Sequence, residues 1–175
     1  MASLPPDQLL RQCLLFRTMD RRAQDDLADC LEFVHFEPGQ RIIEAGTPGS
    51  ALYLLLDGAV DIYLREGDAR LYVGRLGPGA LLGEVSFLNP DQPRTADVIG
   101  RSPGVLAALT LSSYEELRQV NHGAAAALEK AMLEVLAERM ADNHRRMGEF
   151  LERFRTAGFG SAMGWLRNML GGSGT

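Results

Sequence analysis

The chain has 175 residues, 18 Lys+Arg against 23 Asp+Glu for a formal net charge of −5, and 46% hydrophobic residues. At roughly 100–200 residues per domain this is one globular domain with an appendage, and the acidic balance excludes non-specific binding to nucleic acid, which needs a dense field of cations against the phosphates. Met1-Ala2-Ser3-Leu4-Pro5-Pro6-Asp7 lacks the basic region and apolar run of a secretory signal, and no stretch reaches the ~18 uninterrupted apolar residues of a membrane span, so a cytoplasmic location is expected.

Residues 5–30 read as two short helices. Leu9, Leu10, Cys13, Leu14 and Phe16 form one helical stripe, a turn falls at Thr18, and Asp20 is placed to cap a second helix over Met19–Leu31. Cys13 and Cys30 sit in these segments without CxxC spacing or a histidine neighbour, which predicts two buried, reduced thiols.

From Phe33 to Leu109 short apolar or alternating runs are separated by glycine and proline. Candidate strands are Phe33–Phe36, Gln40–Ile43, Leu52–Leu56, Ala59–Leu64, Leu71–Leu76, Asp97–Ile99 and Val105–Leu109. Val60, Ile62 and Leu64 alternate with Asp61 and Tyr63 as a half-buried strand requires. Turn signals recur at Pro38-Gly39, Gly46-Thr47-Pro48-Gly49, Asp57-Gly58, Glu66-Gly67-Asp68 and Gly77-Pro78-Gly79. Many short strands at this spacing predict an antiparallel β jelly roll, and with the helices an α+β fold.

After Leu109 the pattern is helical again. Ser112 and Glu115 have capping-box spacing, Asn121-His122-Gly123 interrupts the helix, and a proline-free run extends from about Ala124 to Phe154. In it Leu133, Leu136, Met140, Asn143, Met147, Phe150 and Phe154 alternate in steps of three and four, a heptad seam. Either this stripe packs on the chain's own β-roll, or it forms a two-stranded coiled coil in a homodimer with Asn143 fixing the register; the length of the helix favours the dimer. Phe159, Met163, Leu166 and Leu170 line one face of a short final helix, which packs back on the protein or docks a protein partner through 159–170. The expected organisation is N-terminal helices over 1–31, a β-roll over 32–110, C-terminal helices over 111–155, and a short apolar helix with a flexible tail over 156–175.

One segment, residues 82–98, carries chemistry. Gly83 permits close backbone approach to a ligand, Glu84 opens a helical turn, and the N–H groups of Val85 and Ser86 can face an anion. Arg94, between Pro93 and Thr95, offers a rigid fork of donors suited to phosphate, and a carboxylate accepts hydrogen bonds from a sugar diol. Together they suit a nucleotide whose phosphate lies close to its ribose. The alternative from spacing alone is a Glu84–Arg94 ion pair that stitches the roll together with no ligand.

Gly83-Glu84 followed by Pro93-Arg94-Thr95-Ala96-Asp97-Val98 resembles the phosphate-binding cassette of the cyclic-nucleotide-binding domain family, which includes bacterial catabolite activator proteins and regulatory subunits and channels that sense cAMP or cGMP. Phe36-Glu37-Pro38-Gly39-Gln40, Glu44-Ala45-Gly46, Leu52-Tyr53-Leu54-Leu55, Gly58-Ala59-Val60 and Leu76-Gly77-Pro78-Gly79 are similar to its strand-and-turn signatures, so the resemblance covers roughly residues 8–152. It implies that Arg94 pairs with the cyclic phosphate and Glu84 with the ribose 2′-hydroxyl. Gly83, Val85 and Ser86 would give backbone contacts, with Thr95 and Ala96 completing the site. It also implies that the long helix dimerises and lids the base, where Arg139, Met140 and Asn143 are candidate contacts. The ligand so implied is cAMP, with cGMP as the alternative, in a bacterial signal-transduction protein without a catalytic cofactor.

Residues 155–175 are too few for the helix-turn-helix that catabolite-activator-like members carry, so no DNA contact is expected. A metal-dependent jelly-roll enzyme would need clustered histidines, and His35, His122 and His144 form no His-x-His pair; no serine or cysteine lies in a nucleophile elbow. No metal site and no enzyme are expected. The remaining alternative is a roll kept only as a dimerisation or docking module, against which the intact Glu84 and Arg94 speak.

Overall fold

The computed structural model describes residues 4–17, 19–67 and 69–154. The N-terminal segment is three short helices instead of the expected two: α1 (Pro6–Gln12), α2 (Leu14–Arg17) and α3 (Arg21–Asp29). Pro6 starts α1, where its missing N–H costs nothing. Cys13 turns extended and separates α1 from α2, which lets Leu10 and Phe16 both be buried. Asp20 caps α3 as expected, its carboxylate accepting from the Ala23 amide at 2.8 Å. Both cysteines are free, but Cys30 is only half-buried, because it is the C-cap of α3 and not on its buried stripe.

Eight strands follow: β1 (Glu32–Phe36), β2 (Arg41–Ile43), β3 (Ala51–Asp57), β4 (Val60–Glu66), β5 (Ala69–Leu76), β6 (Leu81–Leu82), β7 (Asp97–Gly100) and β8 (Gly104–Thr110), with a short helix α4 (Glu84–Leu88) between β6 and β7. They form two antiparallel four-stranded sheets, ordered β1-β8-β3-β6 and β2-β7-β4-β5. This is the expected β-roll in an α+β fold. The expected strand bounds shift by one or two residues, as where the strand expected over Leu71–Leu76 begins at Ala69, and β6 is an additional strand, since two leucines carry no alternation to read.

Phe36, Ile43, Leu55, Val60, Leu82, Val98 and Leu106 form the core of the roll. Strands β3 and β8 are central in their sheet and buried on both faces. Their second apolar face, including Leu52, Leu54, Ala107 and Leu109, meets Phe16, Leu27 and Leu128 from the helices. That double burial explains their continuous apolar sequences. In β4 the expected alternation of burial does not appear: Val60 and Asp61 are both buried, Asp61 under Arg75, and Leu64 is exposed.

Helix α5 (Leu111–Val120) leads directly out of β8. The expected Ser112–Glu115 capping box does not form. The strand runs into the helix two residues earlier, so Thr110 is the cap, accepting from the Ser113 amide at 3.1 Å, and Glu115 pairs with Arg118 at 3.4 Å instead. Replacing Thr110 with alanine is expected to cost about 1 kcal/mol, read as a lower midpoint with unchanged slope in urea denaturation.

The chain divides into two compact units, Met1–Met132 and Leu133–Thr175. Helix α6 (His122–Phe154) begins in the first, where Asn121 breaks the chain between α5 and α6. The Asn121 side chain accepts from the Ala124 amide at 3.0 Å and donates to Asp26 of α3. Ala124, Ala125, Leu128 and Met132 are buried, and the Tyr114 hydroxyl donates to Glu129, tying α5 to α6. Burial first, and then the Glu129 carboxylate, push the Tyr114 pKa up to about 12. In the second unit Leu133, Met140 and Met147 are exposed at 61%, 61% and 59%, Asn143 is exposed and Leu136 is half-buried. The side chains of Phe150 and Phe154 and the apolar helix expected over 159–170 lie outside the described residues.

Candidate ligand-binding site

Strand β6 ends at Leu82, and Gly83 turns the chain into α4 in the left-handed region, φ +81°. Glu84 and Ser86 are thereby carried inward on α4 and both are buried, Glu84 at 5% exposure. The loop after α4 returns Arg94 to the same place just before β7, and its side chain is 7% exposed.

The guanidinium of Arg94 is held mainly by neutral groups. Its Nη1 donates to the Gly83 carbonyl at 2.9 Å and to Ser86 Oγ at 3.2 Å, and its Nη2 donates to the Ala51 carbonyl at 2.6 Å. The Tyr53 ring lies under it, 5.9 Å from Cζ to the ring centroid. Burial lowers the Arg94 pKa, and Tyr53 and the Glu84 carboxylate oppose that shift. Arginine does not lose its proton in proteins, so a full positive charge sits below the surface with dipoles around it and one carboxylate nearby.

Two glycines make room for it. A Cβ on Gly83 would fall onto Arg94 Nη1, with Cζ at 3.0 Å and the Ala51 oxygen at 3.1 Å. A Cβ on Gly49 would meet Ser86 at 2.5 Å and Arg94 Cζ at 3.0 Å. The backbone of Arg94 is anchored as well: its amide donates to the Thr47 carbonyl and its carbonyl accepts from the Gly46 amide, both at 2.8 Å.

Of the residues singled out in the sequence, the structure brings Gly83, Glu84, Ser86 and Arg94 together. Val85 and Thr95 are exposed and Ala96 is half-buried. Arg139, Met140 and Asn143 belong to the second unit, on α6. The sequence reading missed Gly49, Ala51 and Tyr53. Ala51 acts through its carbonyl and Tyr53 through a ring in an ordinary strand, so neither had a side-chain signal; Gly49 was visible only as part of a turn. The described residues contain no group of three or more His, Cys, Asp or Glu that could hold a metal ion, and no helix among them is long and apolar enough to cross a membrane.

A buried arginine and a buried carboxylate lie in the segment singled out in the sequence, and a family profile described as cyclic nucleotide-binding domain matches residues 33–121. The chain belongs to that family. Among solved structures, it is similar to the regulatory subunit of a cAMP-independent protein kinase A from Trypanosoma brucei, with 31% identity, a TM-score of 0.61, and coverage of 73% of this chain and 45% of that one. The catabolite activator protein of Thermus thermophilus is 26% identical with a TM-score of 0.69, covering 91% of this chain and 72% of that one. Among curated proteins, Glutaminase 2 of Bradyrhizobium diazoefficiens is 33% identical over 106 residues, which are 61% of this chain. The chain therefore spans 16% of that relative's length and under half of the kinase subunit's. In this cyclic nucleotide-binding domain Glu84 and Arg94 are both buried in the segment between β6 and β7.

Proposed function

We propose that the domain is a receptor for a cyclic mononucleotide, with cAMP as the ligand, and that it performs no catalytic step of its own. The observation that carries this reading is the buried Arg94 guanidinium, held by two carbonyls and a hydroxyl with Glu84 alongside. A cyclic phosphate set against Arg94 gains charge-assisted, two-pronged hydrogen bonds in a site of low dielectric. Its ribose hydroxyl donates to Glu84, an acceptor that a phosphate cannot use. Gly83, Val85 and Ser86 contribute backbone amides, since the first amides of a helix have no intrahelical acceptor, and Thr95 and Ala96 border the phosphate or base. The choice of cAMP over cGMP rests on the likeness to bacterial family members, and Thr95 suits either base.

The β-roll over 32–110 and the helices over 111–155 then act as sensor and output. The exposed seam of Leu133, Met140 and Met147 on α6 suits a homodimer in a cytoplasmic regulator. Ligand binding is proposed to act on α6 and to change what 159–170 offers a protein partner. A ligand shifts such an equilibrium only through contacts that differ between two helix positions.

Calorimetric titration with cAMP and cGMP tests the receptor; absence of saturable heat with both overturns it. For the seam, sedimentation of the wild type should give a dimer, and Met140→Glu should give a monomer with an unchanged melting point of the roll. A wild-type monomer at micromolar concentration removes the dimer.

A further inference from the structure

Sheet β2-β7-β4-β5 carries a charged cluster that the ligand contacts do not use. Asp97, three residues after Arg94, is fully buried. Its carboxylate accepts from Arg65 Nε and Nη2, each at 3.0 Å, and from the Ala45 amide at 2.7 Å, and Arg70 Nε lies 3.4 Å away. The Arg65 Nη2 also donates to Glu44 at 2.9 Å, and Glu44 accepts from Arg41 at 2.7 Å. Hydrogen bonding to Arg65 holds the Asp97 carboxyl below the usual range, so it is ionised at neutral pH.

Arg65 and Asp97 thus hold the first two residues of one turn. They grip the Glu44 side chain and the Ala45 amide, while within the turn the Thr47 hydroxyl donates to the Glu44 carbonyl at 2.7 Å. The next residues of that turn, Gly46 and Thr47, are the ones hydrogen-bonded to the backbone of Arg94. The chain of contacts runs from the Arg65–Asp97 ion pair through a backbone turn to the backbone of Arg94, whose side chain carries the buried guanidinium.

We propose that Asp97 and Arg65 are positioning residues for the anion site: by fixing the Glu44–Thr47 turn they set the depth at which Arg94 enters the pocket. The inference rests on the receptor reading above and deepens it. An ion pair that served only the stability of the sheet would leave the affinity of a correctly folded site unchanged. A misplaced donor costs binding because a charge-assisted hydrogen bond weakens steeply with distance and angle.

The test uses Arg65→Met, which keeps the apolar stem, Arg65→Lys, which keeps a charge, and Asp97→Asn, which keeps an acceptor for the Ala45 amide. Affinity for cAMP is measured well below each variant's melting point, alongside amide hydrogen exchange in the free protein. Arg65→Met is expected to weaken cAMP binding about tenfold and to speed exchange at Gly46 and Arg94 about tenfold, while the Gly39 amide, bonded to Gly100 at 2.8 Å across the roll, is unchanged. Arg65→Lys and Asp97→Asn should fall between Arg65→Met and the wild type in both readouts. Unchanged affinity in Arg65→Met, or unchanged exchange at Gly46 and Arg94, overturns the positioning role even if the melting point drops. If the wild type binds no cyclic nucleotide, the receptor reading falls separately, and the exchange rates alone decide whether the clamp holds Arg94.

Discussion

Replacing Arg94 with glutamine is expected to weaken cyclic-nucleotide binding about a hundredfold or more while leaving the fold in place. The loss follows from removing one partner of a buried, hydrogen-bonded charge pair, which costs about 2–5 kcal/mol in binding. Stability responds differently, because two effects oppose. Glutamine ends short of the carbonyls of Gly83 and Ala51, and each buried acceptor left unmatched costs about 1–3 kcal/mol. Against that, a buried guanidinium is charge taken out of water, as the lowered pKa records, and removing it relieves that desolvation. The melting point should therefore move by only a few degrees while calorimetric binding collapses. Arg94→Lys separates charge from geometry. Lysine keeps a positive charge but has no planar fork, so it should recover part of the affinity without reaching the wild type. Full affinity in Arg94→Gln would remove the arginine from the site and the receptor reading with it. Equal losses for lysine and glutamine would mean that the fork matters and net charge does not.

The parts of the fold that the sequence made legible are those in which side chains carry the pattern. The apolar run from Leu52 to Leu56 reads as a strand because β3 is central in its sheet, and Asp20 caps α3 because its carboxylate does the bonding. Glu84 and Arg94 could be paired from spacing because both belong to one short excursion between β6 and β7. What escaped was carried by backbone or by distant strands. The Ala51 carbonyl accepts from a guanidinium 43 positions later, and alanine has no side chain to announce it. Asp97 read as the first residue of a strand, although its carboxylate reaches Arg65 and Ala45 from elements 32 and 52 positions away. The cap of α5 was misplaced for a related reason: Thr110 is a good strand residue and a good cap, and only the point at which β8 stops pairing decides which role it takes. The heptad seam was legible as a pattern, and Leu133, Met140 and Met147 are exposed on α6, but periodicity alone names no partner for them.

Replacing Gly83 with alanine is expected to be the most damaging single-methyl change in the site, and comparison with Gly46 shows why. Both glycines have left-handed backbones, φ +81° and +83°, where any other residue pays about 1–2 kcal/mol. At Gly46 a Cβ would meet nothing within 4 Å, so Gly46→Ala should cost only that conformational amount. At Gly83 the new methyl falls on Arg94 Nη1 and lies 3.1 Å from the Ala51 oxygen. Arg94 cannot yield easily, because its other nitrogen is bonded to Ala51 and its backbone is bonded to Gly46 and Thr47. Overpacking a tight site adds about 1–3 kcal/mol, so Gly83→Ala should lose about 2–5 kcal/mol in all, read in urea as a midpoint well below that of Gly46→Ala. The displaced guanidinium also leaves its hydrogen bonds to Gly83 and Ser86, so cAMP affinity should fall with stability, whereas Gly46→Ala should bind within a few-fold of the wild type. The two variants therefore separate strain from steric conflict. If they were equally stable and bound equally well, the close approach of Gly83 to Arg94 would have no energetic weight, and Arg94 would be held more loosely than its hydrogen bonds require.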